Sequence, residues 1–162
     1  MKPFRARMTY SAVAPVSPER WWRHEWDADD AVKAHADVYS VSVEAGRPGE
    51  VGCLTRMTGR TPSGEPAELL TEIVEVGPGL RAVSRNHAVG APDVPTTSEV
   101  VVTAHPDGCT VTRVLRVETV PVTWIERAAV RLTMPRHRRE YRRTTAREIA
   151  ESVAYLTSRE ST

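Results

Sequence analysis

The sequence predicts an α+β fold in which a seven-stranded, curved antiparallel sheet wraps one long C-terminal helix. Two observations carry that prediction. Between Asp37 and Thr119, six Val- and Thr-rich runs follow one another with only short Gly- and Pro-containing turns between them, after one alternating segment near the start. The closing stretch then changes to helical periodicity. Connections this short cannot carry a parallel crossover, so successive strands must pair antiparallel.

The first strand is expected over Arg5 to Val13, where Arg5, Arg7, Thr9 and Ser11 alternate with Phe4, Ala6, Met8, Tyr10 and Ala12. Ser17 is a natural N-cap, and Pro18 suits the first helical position, where a missing N–H costs nothing. A short helix carrying Trp21, Trp22 and Trp26 should begin there, and the acidic Asp27 to Asp30 stretch should start a second one reaching Ala34. Strands are then expected at Val38 to Ala45, Val51 to Thr58, Ala67 to Val76, Leu80 to Val89, Thr97 to His105 and Thr110 to Thr119. Turns at Gly46 to Gly49, Pro62 to Gly64, Gly77 to Gly79, Gly90 to Asp93 and Pro106 to Gly108 separate them. From Val122 the period is helical, and Pro135 should split a lead-in from a main helix running from about Arg136 to about Ser158. Tyr141, Thr145, Ile149, Val153 and Leu156 form one stripe, with Arg136, Glu140, Arg143, Arg147, Glu151 and Ser158 opposite.

Composition narrows the function classes. At 162 residues the chain has the size of one domain, expected over 1–162. No run approaches the roughly 18 apolar residues of a membrane helix, and Met1 to Val13 alternates instead of forming a secretory core, so a cytoplasmic protein without a membrane span is expected. Cys53 and Cys109 stand far apart without metal-ligand spacing and read as reduced, packed side chains. The net charge is +1, yet Arg131 to Arg147 holds seven arginines against the single Glu140. Without aromatic interleaving, that segment reads as a solvated helix face and not as a nucleic-acid footprint. Phosphate-loop, dinucleotide, serine-hydrolase and zincin motifs are absent, and His24, His35, His87, His105 and His137 lack ligand spacing. No metal and no cofactor is expected.

The order strand, two short helices, six strands, long helix resembles that of the START-like superfamily, also called SRPBCC or Bet v 1-like, whose architecture is the helix-grip fold. Ala14-Pro15-Val16-Ser17-Pro18-Glu19-Arg20-Trp21-Trp22 resembles the family's entry into its first helix, and Pro48-Gly49-Glu50-Val51-Gly52 its entry into the third strand. Glu72 to Gly90 is similar to its strand-turn-strand pattern. The resemblance covers nearly the whole chain and implies a cavity between sheet and helix. Small strand side chains and a single Phe point the same way, because they fill such a space poorly. The family includes lipid and hormone carriers, polyketide aromatases/cyclases and chaperone activators. Three readings follow: a binder of a small, largely apolar lipid- or polyketide-like molecule, a cofactor-independent cyclase/dehydratase-like enzyme, and a protein-interaction or stress module without chemistry.

Within that frame, extending the helix stripe toward its N-terminus brings Arg138 to the centre and Arg142 to the flank. A guanidinium facing inward must meet a carboxylate, reach solvent at a cavity mouth, or bind an acidic ligand. Glu72 is expected inward in preference to Glu75, because its neighbours Leu70 and Val74 are the more apolar. His87 is a candidate acid/base, with the parity of its strand undecided. Trp124 and Tyr141 can line the pocket, with Thr145 on the same stripe. Catalytic candidates are thus His87, Tyr141, Arg138 and Arg142, and ligand contacts are expected from Glu72, His87, Trp124, Arg138, Tyr141, Arg142 and Thr145. Of the three early tryptophans, one is expected in the core and the others over the cavity. An exposed patch of them would allow a homodimer.

Overall fold

The computed structural model describes residues 2–90 and 94–161. Its elements are β1 (Lys2–Ala14), α1 (Pro18–Glu25), α2 (Ala28–Ala34), β2 (Val38–Ala45), β3 (Leu54–Arg60), β4 (Pro66–Val76), β5 (Leu80–Ala88), β6 (Thr96–His105), β7 (Gly108–Val122) and α3 (Trp124–Ser158), closed by a short 3₁₀ turn, Arg159–Ser161. The seven strands form one sheet in the order β1-β7-β6-β5-β4-β3-β2, every neighbouring pair antiparallel. The turn expected at Gly90 to Asp93 lies, beyond Gly90 itself, outside the described residues.

Local chemistry sets the element boundaries. The Ser17 hydroxyl accepts the Arg20 N–H and caps α1, and the Asp27 carboxylate accepts the Asp30 N–H and caps α2. Thr123 and Glu126 form a reciprocal capping box at the start of α3. Two glycines permit close backbone crossings: a Cβ at Gly108 would overlap the carbonyl oxygen of Ala14, and one at Gly59 that of Asp37.

Pro135 does not split the helix, which runs unbroken for 35 residues. Only one backbone N–H is lost there, and in the turn before it the Thr133 hydroxyl donates to the carbonyls of Ala129 and Val130 at 3.1 and 3.2 Å.

The core joins the inner face of the sheet to the second half of α3 and to α1. Ala14, Val16, Trp21, Ile73, Ala82, Val100, Val102, Val111, Ile149 and Leu156 are buried together. All four buried residues of α3, Thr145, Ile149, Ser152 and Leu156, belong to its second half. The strand lengths explain why. β6 begins at Thr96, opposite Val117, so β1 and β7 project beyond it as a two-stranded extension, and α3 starts from that extension. Its first turns meet a strand edge: Arg127 donates to the carbonyl of Pro3. Cys53 and Cys109 are unpaired and buried, and burial pushes both thiols up from their ordinary range.

Candidate functional site

Two hollows lie between the sheet, α1 and the second half of α3. The first, about 300 Å³, is lined by His24, His35, Met57, Leu69, Thr144 and Ser152 among others. The second, about 220 Å³, is lined by Trp26, Ser84, Ser98, Leu115, Tyr141 and Thr145 among others. Glu25, Arg113 and Glu148 belong to both, so a charged cluster forms their common wall.

Arg113 sits on β7 two residues from Val111 and two from Leu115, on the strand face that packs inward. Its Nη2 donates to Glu25 Oε2 at 2.9 Å, and its Nη1 lies 3.7 Å from Glu148 Oε2. The Trp21 indole N–H also donates to Glu25 Oε2, at 3.2 Å. Burial alone would lower the Arg113 pKa, but Glu25 and Glu148 outweigh it and the net shift is upward, so the guanidinium stays charged. Two donors here are buried without an acceptor: Nε of Arg113 and the indole Nε1 of Trp26. Both residues line the second hollow. Beside them, burial raises the Tyr141 phenol pKa against the opposing influence of Thr145 and Arg113, which keeps its O–H protonated.

A chain of polar side chains crosses the wall of the first hollow. His24 Nδ1 lies 3.1 Å from Asp30 Oδ2, and His24 Nε2 lies 2.9 Å from the Ser152 hydroxyl. That same hydroxyl is 3.3 Å from His35 Nε2, and His35 Nδ1 is 2.8 Å from Glu151 Oε2. The carboxylates at the two ends each require an N–H from Nδ1. Both Nε2 atoms then face one hydroxyl that has a single proton to give. The neutral chain leaves one Nε2 without a donor, and one added proton completes it. Asp30 is further held by the Tyr155 hydroxyl at 2.7 Å and Arg159 at 3.1 Å.

Of the residues expected at the site, Tyr141 and Thr145 line the second hollow. The others lie elsewhere. Arg138 does fall on the inward stripe by helical angle, yet it and Arg142 are exposed, because they precede the stretch of α3 that the sheet covers. Trp124, at the tip of the β1–β7 extension, is 79% exposed. Glu72 is exposed on the outer face of β4, while Ile73 is buried and Leu69 and Thr71 line the hollows. Register decides this: Thr71 pairs with Asn86 and Ile73 with the buried Ser84, which fixes the inward parity of β5 as Ala82, Ser84 and Asn86. His87 is therefore on the outer, exposed side. Trp21 is wholly buried, and Trp22 and Trp26 stack edge-to-face against each other, so the three do not form an exposed patch. Arg147 and Glu151 are not on a purely solvated side of α3: Arg147 pairs with Asp37 at 2.9 Å, Glu151 holds His35, and both line the first hollow.

The sequence reading missed Arg113, Glu25, Glu148, Trp26 and the His24–Ser152–His35 chain as site residues. For Arg113 a signal existed, since it interrupts the apolar alternation Val111, Leu115, Val117. For Ser152 one existed too, at three residues after Ile149 and four before Leu156. Among the described residues no cluster of three or more His, Cys, Asp or Glu is placed to hold a metal ion, and no helix is long and apolar enough to cross a membrane.

Solved structures share this fold. The chain superposes on Ara h 8.0201 with a TM-score of 0.67 at 12% identity, covering 96% of this chain and 99% of that one. It superposes on major latex-like protein 151 from Panax ginseng with a TM-score of 0.62 at 10% identity, over 85% and 97% of the two chains. A START superfamily protein from Mycobacterium smegmatis gives 0.61 at 14% identity, over 92% and 93%. No protein-family model and no curated protein sequence matches the chain. The architecture is the helix-grip fold shared by these Bet v 1-like and START-like structures.

Proposed function

We propose that the two hollows together bind one small molecule with a largely apolar, lipid- or polyketide-like body and a neutral hydrogen-bond acceptor, such as a ketone, ester or amide carbonyl. The observation that carries this reading is the pair of buried donors without acceptors, Arg113 Nε and Trp26 Nε1, on the wall of the second hollow. An unmade buried hydrogen bond costs about 1 to 3 kcal/mol, and an acceptor entering the hollow recovers it. Charge selects the acceptor. Arg113 faces two carboxylates, Glu25 and Glu148, so an anionic ligand end would meet a net negative cluster. Met57, Leu69, Val100 and Leu115 supply apolar wall for the body.

The test uses a neutral fluorescent ketone, 6-propionyl-2-(dimethylamino)naphthalene, whose emission reports hydrogen bonding at its carbonyl. Saturable binding is expected. Trp26→Phe, which removes a neutral N–H donor, should weaken it about fivefold, and Arg113→Met about tenfold or more. A naphthalene of the same size carrying a sulfonate should bind less well. Equal affinity in both variants, or preference for the sulfonate, would reject this anchoring.

A second reading, proton-transfer catalysis of the cyclase/dehydratase kind, is favoured by the Asp30–His24–Ser152–His35–Glu151 chain. Its spare Nε2 lone pair lies at the wall of the hollow that shares Arg113, so a carbonyl polarised by the guanidinium would have a base nearby. His35→Gln should then abolish turnover of a β-dicarbonyl substrate while leaving ketone binding intact.

A further inference from the structure

We propose that the first half of α3 docks the protein on an anionic lipid bilayer. Three large apolar side chains stand in solvent there: Trp124, Ile125 and Leu132 are 79%, 61% and 83% exposed. At 100° per residue, Ile125, Ala129 and Leu132 lie opposite the buried Thr145–Leu156 stripe and share that outward side with Arg136, Arg139 and Arg143, whereas Trp124 lies nearer the angle of the buried stripe and is exposed because it stands at the helix end, beyond the cover of the sheet. Seven arginines and two glutamates fall between Trp124 and Arg143. One glutamate, Glu126, is turned back on its own cap, accepting the Thr123 N–H at 2.7 Å. Among the described residues Arg131, Arg136, Arg138, Arg139, Arg142 and Arg143 make no ion pair, whereas Arg20, Arg56, Arg81, Arg113, Arg116, Arg147 and Arg159 all do.

Charge complementarity selects the occupant. A second copy seated on this face would set arginines against arginines. A nucleic acid would satisfy the guanidinium groups and leave the Trp, Ile and Leu in water. A bilayer with anionic headgroups satisfies both. With a rise of 1.5 Å per residue, Arg136 follows Leu132 by about 6 Å and Arg143 by about 16 Å. The apolar end can therefore sink the 5 to 10 Å or so to the acyl boundary while the arginines remain at the phosphates, the helix entering obliquely by its N-terminal end. Such binding is peripheral and needs no spanning helix.

The experiment is co-sedimentation of the full chain with phosphatidylcholine vesicles, with and without about one-third phosphatidylserine, alongside tryptophan emission. Trp124 is the most exposed tryptophan, so insertion should shift emission to the blue. Binding should require phosphatidylserine and weaken with salt. Arg136→Gln/Arg139→Gln/Arg143→Gln should weaken it about a hundredfold, and Ile125→Ser/Leu132→Ser tenfold or more, with thermal melts unchanged. Four results would overturn the proposal: no binding to the anionic vesicles; equal binding to neutral ones; an Ile125→Ser/Leu132→Ser variant that binds like the native chain, as a purely electrostatic surface would; or a concentration-dependent dimer that Leu132→Ser abolishes.

Discussion

Replacing Arg113 by methionine keeps the aliphatic stem and removes the charge from the centre of the site. Removal of one member of a buried ion pair costs about 3 to 5 kcal/mol, because the other is stranded. Here the stranded group is Glu25, whose side chain is 13% exposed and keeps one donor, the Trp21 indole at 3.2 Å. Glu148, with its side chain 39% exposed, reaches water and adds little. The cost should therefore lie at the lower end, about 3 kcal/mol. In a chain of this length 1 kcal/mol moves Tm by about 2 to 4 °C, so a fall of about 6 to 12 °C is expected. Glu25→Gln in the Arg113→Met background removes the stranded charge and still accepts the indole N–H, so the double variant should recover about 2 kcal/mol relative to Arg113→Met. Urea melts of the native chain, both single variants and the double variant close the cycle. Additive losses, or a loss below about 1 kcal/mol for Arg113→Met, would refute the idea that this pair is buried and coupled.

Two further outcomes follow from burial and charge. Ile149→Asp should destabilise by about 4 kcal/mol in thermal melts, since it buries an unpaired carboxylate, while Arg143→Asp on the exposed side should stay within about 0.5 kcal/mol; similar losses would mean the covered stripe is wrong. Burial alone would raise the Asp30 pKa, but Tyr155, His24 and Arg159 outweigh it; likewise burial of Glu99 is outweighed by Arg116 and Arg81, so both carboxyls titrate below their ordinary values. Both bind protons more weakly folded than unfolded, so their stabilisation is complete above about pH 4.5 and is lost as pH falls further. Asp30→Asn/Glu99→Gln should flatten the stability curve between about pH 5 and 3, and an unchanged acid slope would count against the assignment.

The sheet was legible because its information is local. Each turn holds a residue that only a reversal needs, and each run alternates or is rich in branched side chains, so seven strands and their antiparallel order follow without knowledge of distant contacts. The face of β4 was not local. Leu70, Val74 and Val76 make one side slightly more apolar than Leu69, Thr71 and Ile73 on the other, a local bias that pairing with β5 overrides. The site escaped for a related reason: Arg113 meets Glu25 across 88 residues of sequence, and His24 meets Ser152 across 128. Helical angle placed Arg138 correctly on the inward stripe, but where cover ends along α3 depends on how far β1 and β7 outrun β6, a comparison of strand lengths that no helix pattern contains.

How α3 allocates its side chains argues that it is more than a core element. A helix selected only to fill the concave sheet would put large residues inward and polar ones outward along its length. This one departs from that rule in both halves, although Ile149 and Leu156 keep to it. Facing the sheet it offers Thr145 and Ser152, 3% and 1% exposed, where leucines would have filled the space. Facing solvent it offers Trp124, Ile125 and Leu132. Each choice forgoes about 1.5 to 3 kcal/mol of burial per large side chain. The inward choice keeps the hollows open and supplies the hydroxyl that joins two imidazoles. The outward choice keeps apolar surface available to another phase. A packing helix gains from neither, and filling the inward positions tests the first directly. Thr145→Leu should raise stability, or hold it steady, as the hollow closes, and should abolish binding of the neutral ketone. A variant that is stabilised yet binds as before would place the ligand somewhere other than between α3 and the sheet.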